Sequence, residues 1–119
     1  MTKIIYRWFR IINKNLMRKY KTIETFVGAG GSFLGFKKAD FECQYVNDID
    51  NDFLKTLEYN NRELNKTMID DTPIEKINFK SLRHKLKLKQ KEIDVIFGGP
   101  VCKGYSLAGV RDPSDVRNK

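Results

Sequence analysis

The sequence predicts an α/β protein built on a parallel sheet, and three observations carry that expectation. Short apolar runs of strand length alternate with segments of helical periodicity. Clusters of Gly, Pro, Asn and Asp punctuate the chain at 26–31, 47–50, 70–73 and 98–103. Each cluster follows one of the strand-like runs, so a sheet with right-handed crossovers brings all four to one rim. Ligands in such sheets bind beyond the carboxyl ends of the strands.

The elements follow in order. Residues 1–21 form a basic leader with helical periodicity, in which Ile4, Ile5, Trp8, Phe9, Ile12 and Leu16 share one face. It reads as a helix docked on the domain, as a non-native extension with Met17 as the true start, or as a basic amphipathic helix on DNA or a membrane surface. Thr22 to Val27 reads as a buried strand, broken by Gly28, Gly30 and Gly31. A helix starts at Ser32 and runs to Lys38, with Phe33, Leu34 and Phe36 available for burial. Phe41 to Val46 is a second strand. Asp50 to Leu64 is the best helix, with Phe53, Leu54, Leu57 and Asn61 at helical spacing and Asp50 and Asp52 favouring its amino end. Thr67 to Ile69 is a third strand, and Ile74 to Leu88 contains helical segments whose packing residues are Phe79, Leu82, Leu86 and Leu88. Ile93 to Phe97 is a fourth strand, ended by Gly98, Gly99 and Pro100. Residues 22–119 thus read as one unit of about four strands with flanking helices.

Composition excludes several classes. The 119 residues are 40% apolar with eight Gly, which argues against a wholly disordered chain. No run approaches 18 apolar residues, so no transmembrane helix is expected. Two cysteines, Cys43 and Cys102, argue against a disulfide framework. The single histidine, His84, leaves little for a His-rich metal site or a Ser-His-Asp triad. The net charge of +8 suggests an anionic partner. Seven cations and no acid lie within residues 1–21, so the rest of the chain is close to neutral as a sum. A second basic cluster, Lys80 to Lys91, reads as a solvated helix face. Arg7 and Arg10 interrupt the leader's apolar run, so it is not an export signal, and an intracellular protein is expected, cytoplasmic if bacterial or phage.

Two loops carry the chemistry. The stretch Glu24-Thr-Phe-Val-Gly-Ala-Gly-Gly-Ser-Phe-Leu-Gly-Phe36 combines a strand, a tight turn and a helix start. Glycine permits positive φ and close approach of a ligand to the backbone, and the helix start offers free N–H groups to an anion. No Gly-Lys-Ser/Thr follows, so this is not a P-loop, and Phe33 stands where the third Gly of GxGxxG would fall. Asp48, about twenty residues on, is placed to accept both ribose hydroxyls of a nucleoside ligand; Asp48 or Asp50 equally suits a helix cap. Asp70 or Asp71 is placed to face an adenine amino group. In the second loop, Gly98-Gly-Pro-Val-Cys-Lys103, Cys102 sits just past a strand beside Lys103, whose ammonium favours the nucleophilic thiolate. Cys43, inside an apolar strand, reads as an inert core thiol.

These motifs resemble the N-terminal part of the DNA (cytosine-5-)-methyltransferase family. The family's first motif, Asp-x-Phe-x-Gly-x-Gly-Gly-x-x-x-Gly-Phe, is matched from Glu24 to Phe36, with Glu24 in place of Asp. Its catalytic motif, Gly-Gly-Pro-Pro-Cys-Gln-x-Phe-Ser-x-x-Gly, is matched from Gly98 to Gly109, with Val101, Lys103 and Tyr105 as departures. The resemblance covers residues 22–119 and implies a partial Rossmann-like methyltransferase fold with S-adenosylmethionine as cofactor and no metal. It implies that Gly28, Ala29, Gly30 and Gly31 underlie the methionine end, and that Phe26 and Ile49 lie against the adenine. Asp48 would hold the ribose, Asp70 the adenine amino group, and Pro100 would shape the pocket beside the methyl group. Cys102 would be the nucleophile toward a cytosine flipped from double-stranded DNA. Ser106, Arg111 and Arg117 would contact phosphate or close the loop. The family's Glu-Asn-Val motif does not occur in these 119 residues. That implies a shortened gene or one piece of a split enzyme that needs a second chain and is inactive alone. A non-catalytic nucleic-acid-binding or regulatory module and an RNA cytosine methyltransferase are the alternatives.

Overall fold

A computed structural model describes residues 18–102 together with Ser114 and Val116. The expectations for the leader through Met17, and for Lys103, Ser106, Arg111 and Arg117, lie outside the described residues. The element order is β1 (Lys21–Thr25), α1 (Gly31–Lys38), β2 (Glu42–Asn47), α2 (Asn51–Asn60), β3 (Ile69–Asp70), a short 3-10 turn (Ile74–Lys76), α3 (Phe79–Lys85) and β4 (Val95–Gly98). The strands form one parallel sheet in the order β3-β2-β1-β4.

The sheet separates two apolar layers. Val27 and Val46 pack with Phe33 of α1, Leu54 and Leu57 of α2, and Leu64, so α1 and α2 cover one face. Ile23 and Tyr45 pack with Leu82 of α3 on the other. Alternation along β1 explains the division: Thr22 and Glu24 point one way and Ile23 the other. The β1–β2 register shifts between Thr22 and Ile23, which opposes Ile23 to Tyr45 rather than to Gln44.

Local chemistry sets the boundaries. Asp50 caps α2, its carboxylate accepting from the N–H groups of Asp52 and Phe53. Asn61 ends α2 by donating from Nδ2 to the Leu57 carbonyl. The helix expected through Leu64 therefore stops at Asn60, and Leu64 enters the core from the following loop. β1 stops at Thr25 because Phe26 turns to φ 54°. The third strand lies slightly later than expected. The packing stripes are narrower than the sequence suggested, since Leu34, Phe53 and Phe79 are all exposed. Each of these helices meets the sheet along one line, and flanking apolar positions face outward.

Candidate functional site

The carboxyl ends of the four strands build the rim. Cross-strand hydrogen bonds continue past the strands themselves: Val27 N–H donates to the Asn47 carbonyl at 3.1 Å, and Asp48 N–H to the Asp70 carbonyl at 3.2 Å. The loops after β1, β2 and β3 are thereby fixed relative to one another.

The glycine turn begins at Phe26, whose left-handed φ of 54° is uncommon for a bulky residue and costs on the order of 1 kcal/mol. Gly28 (φ 57°) and Gly30 (φ 102°) continue it, and Gly30 N–H closes the turn on the Val27 carbonyl at 3.2 Å. A Cβ at Gly30 would overlap the buried Leu57 side chain, so backbone conformation and space both require glycine there. Gly30 also precedes α1 without a side-chain cap. Ala29 and Gly31 are exposed on the turn.

Asp48 joins the second strand end to this turn. One carboxylate oxygen accepts from Gly28 N–H at 2.8 Å and the other from Asp50 N–H at 3.0 Å. A carboxylate has about four lone-pair directions, so two remain. The two roles weighed for Asp48 and Asp50 are divided: Asp50 caps α2, and Asp48 ties the loops together. Ile49 is 70% exposed beside it.

Asp70 closes the third position. Its Oδ2 accepts from the Tyr45 hydroxyl at 2.9 Å and its Oδ1 from Thr72 N–H at 2.8 Å. Burial opposes ionisation of Asp70, but the bonds from Thr72 and Tyr45 and the Lys85 charge outweigh it and hold the carboxyl below its ordinary range. Asn47 supports the same loop by donating Nδ2 to the carbonyls of Asp70 and Thr72. Sequence reasoning missed Tyr45 and Asn47. Asn47, a polar residue ending an apolar strand, was the available signal; the bulge that turns Tyr45 toward Asp70 left none.

The fourth strand brings the cysteine loop to the same rim. Thr25 pairs with Gly98 across β1 and β4. Thr25 Oγ1 donates to the Phe97 carbonyl at 3.4 Å, and a Cβ at Gly98 would overlap Thr25 and sit 3.6 Å from the Phe26 ring. Pro100 and Cys102 follow and are exposed. Cys43 differs: it is half-buried, and burial pushes its thiol up to about 11. Among the described residues, no group of three or more His, Cys, Asp and Glu side chains can hold a metal ion.

Glu24 lies beneath the glycine turn. It is fully buried, its Oε2 accepts from Ser32 Oγ at 3.0 Å, and its Oε1 has no partner. Burial raises its pKa, partly opposed by the Ser32 bond. With Thr22, it lines a cavity of about 400 Å³ between α1 and the sheet, away from the rim.

A parallel sheet carrying a glycine turn after its first strand and carboxylates after the next two is consistent with a partial Rossmann-like methyltransferase fold. The family model for C-5 cytosine-specific DNA methylase matches residues 20–119. The chain belongs to that family. It is 36% identical over 99 residues to the Type II methyltransferase M.AgeI of Thalassovita gelatinovora, covering 83% of this chain and 22% of that protein. It is 33% identical over 96 residues to M.DdeI of Desulfomicrobium norvegicum, covering 81% and 21%. With M.AquIA of Picosynechococcus it shares 34% identity over 91 residues, 76% of this chain and 36% of that protein. The chain thus spans between about a fifth and a third of these relatives. No solved structure matches.

Proposed function

We propose that these residues form the cofactor-loop and nucleophile portion of a DNA cytosine methyltransferase. The observation that carries the reading is the pairing of Thr25 with Gly98, which sets the Cys102 loop beside the glycine turn. The turn also fits the cofactor. At Gly28 and Gly31 no atom lies within 4 Å of where a Cβ would fall, so the backbone there is open to close approach of a ligand, and Asp48 and Asp70 are carboxylates suited to hydroxyl and amino donors. Gly28, Ala29, Gly30 and Gly31 would underlie the methionine end of S-adenosylmethionine. Asp48 would accept from the ribose, Asp70 from the adenine amino group, and Phe26 and Ile49 would flank the ring, with Pro100 near the reacting carbon. When bound, the cofactor supplies an electrophilic methyl group to carbon 5.

Cys102 performs the covalent work. Its thiolate adds to carbon 6 of a cytosine flipped out of duplex DNA, forming a carbon–sulfur bond and moving electron density to carbon 5. Once carbon 5 carries the methyl group, its proton passes to water, the carbon–sulfur bond breaks, the ring double bond returns and the Cys102 thiolate is released. Ser106, Arg111 and Arg117 would position phosphate. The acid that engages ring nitrogen 3 would come from sequence beyond these 119 residues, on the same polypeptide or a second chain, and these residues alone give background methylation.

Calorimetric titration of the chain with S-adenosylmethionine tests the cofactor part. Saturable binding, weakened about tenfold in Asp48→Ala, is expected for lost charge-assisted hydrogen bonds. A folded chain that binds nothing overturns that part. Duplex DNA containing 5-fluorocytosine tests the nucleophile, with S-adenosylmethionine present and the remaining segment of M.AgeI supplied as a second polypeptide. A covalent adduct lost in Cys102→Ser is expected. Its absence favours a non-catalytic nucleic-acid module, and turnover by the 119 residues alone overturns the need for further sequence.

A further inference from the structure

The near-neutral sum of residues 22–119 hides a strong separation of charge. Residues 22–75 hold five cations against eleven acids. Residues 76–91 hold seven cations and no acid. The structure gives this separation a direction. Leu82 anchors α3 to Ile23 and Tyr45, with Leu86 and Ile93 beside it. Lys80, Arg83, Lys85, Lys87, Lys89 and Lys91 remain exposed on the outer surface. Asp48, Asp50, Asp70 and Asp71 instead gather around the rim, where Lys85 is the cation of the cluster whose charge acts on Asp70.

The ion pairs follow the same division. Five occur among the described residues: Arg18–Asp94, Lys19–Asp40, Lys21–Glu92, Lys37–Glu63 and Lys55–Asp52. None uses a cation of 76–91. Glu92, at the edge of the cluster, is engaged by Lys21 and by the backbone N–H of Lys89. An ordinary solvated helix face mixes signs, as α2 does with Asp52, Lys55 and Glu58. The α3 surface does not.

Part of this cluster lies at the end of the sheet opposite Cys102. Asp94 N–H donates to the Lys21 carbonyl at 3.0 Å, and Lys21 N–H donates to Asp94 Oδ2 at 2.8 Å, which fixes the turn before β4 at the start of β1. Arg18 pairs with Asp94 at the same place.

We propose that the cationic face of α3 and the 86–91 turn is a second contact for the phosphate backbone of duplex DNA, away from the Cys102 rim. This rests on the reading of DNA as substrate. The cluster is mostly lysine, a compact point charge suited to contacts that position without reading bases. It would hold the duplex by counterion release while the acid-rich rim turns over.

Fluorescence anisotropy of the full chain with a 25-base-pair duplex, titrated across salt concentrations, tests this. In Lys80→Gln/Arg83→Gln/Lys87→Gln, the slope of log affinity against log salt should fall by about three, with at least tenfold weaker binding near 0.1 M salt. The control Lys38→Gln/Lys66→Gln should change little. Equal losses in both variants, an unchanged slope, or equal competition by polyglutamate would overturn the proposal. Lysine acetylation of the unmodified chain gives a second readout: DNA should protect Lys87, Lys89 and Lys91 more than Lys55 and Lys66, and uniform protection would overturn it. Protection without a 5-fluorocytosine adduct supports this face and not the cytosine chemistry; an adduct without protection does the reverse.

Discussion

β1 and β4 lie side by side, run in the same direction and end in the two informative loops, yet they occupy different environments. Thr22, Ile23 and Glu24 of β1 are buried between β2 and β4 and beneath helices on both faces. In β4, Ile96 is 71% exposed and Phe97 is 42% exposed. Their positions in the sheet account for the difference. A parallel strand is normally covered on both faces; β4 has only β1 as a neighbour among the described residues. The two cysteines repeat the contrast, Cys43 half-buried on β2 beside β1 and Cys102 exposed beyond β4. The glycine-turn side is thus fixed by its own contacts, while the cysteine-loop side presents an open edge.

The largest expected effect tests that contrast directly. Leu57 is fully buried beneath the glycine turn, and Leu57→Ala should cost about 3 kcal/mol in denaturant unfolding. Ile96→Ala, an equally apolar truncation on β4, should cost less than about 0.5 kcal/mol. A comparable loss at Ile96 would mean that the edge is covered, and the comparison would break.

The two glycine loops offer the next test. Gly30→Ala must adopt a left-handed backbone and displace Leu57, which should cost about 2 kcal/mol and weaken S-adenosylmethionine binding. Gly99 has open space where a Cβ would fall, so Gly99→Ala should change stability by less than about 0.5 kcal/mol. Thermal unfolding of both variants checks this, and similar costs would show that the cysteine loop is as constrained as the glycine turn.

The legibility of the sequence follows the same division. The alternation of elements, the glycine turn and the Asp50 cap depend on residues near one another in the chain, and all were readable. The left-handed Phe26, the exposed face of β4 and the Tyr45–Asp70 bond were not. Each depends on what lies across the sheet: Gly98 beside Phe26, a single neighbour for β4, and a register shift that turns Tyr45 toward β3. An apolar run such as Val-Ile-Phe at 95–97 marks a strand and leaves its covering unspecified.

Tyr45→Phe sharpens the glycine-turn side further. It removes the hydroxyl that donates to Asp70 and should cost about 1 kcal/mol. The Asp70 carboxyl lies below its ordinary range, so its contribution to stability is present above the ordinary value and disappears as pH falls through the lowered one. In Tyr45→Phe, the carboxyl should titrate closer to its ordinary value, and carboxyl-carbon NMR titration reads this directly. An unchanged titration would assign the effect to Thr72 and the Lys85 charge.

The smallest effect concerns Glu24, which lies opposite Phe97 in the β1–β4 register. Burial raises its pKa above 4.5, so folding favours the neutral acid. That contribution is fully present below the ordinary pKa and is lost as pH rises through the raised value. The sign is opposite to that of Asp70. Glu24→Gln keeps the shape and an acceptor for Ser32 but cannot ionise. Its stability should lack the decline that the native chain shows above pH 4.5, with a gain of about 0.5 kcal/mol at neutral pH. Equal pH dependence of the two chains in parallel denaturant unfolding would mean that the charged carboxylate reaches water through the adjoining cavity. The buried side of the sheet would then be less sealed than its contrast with β4 requires.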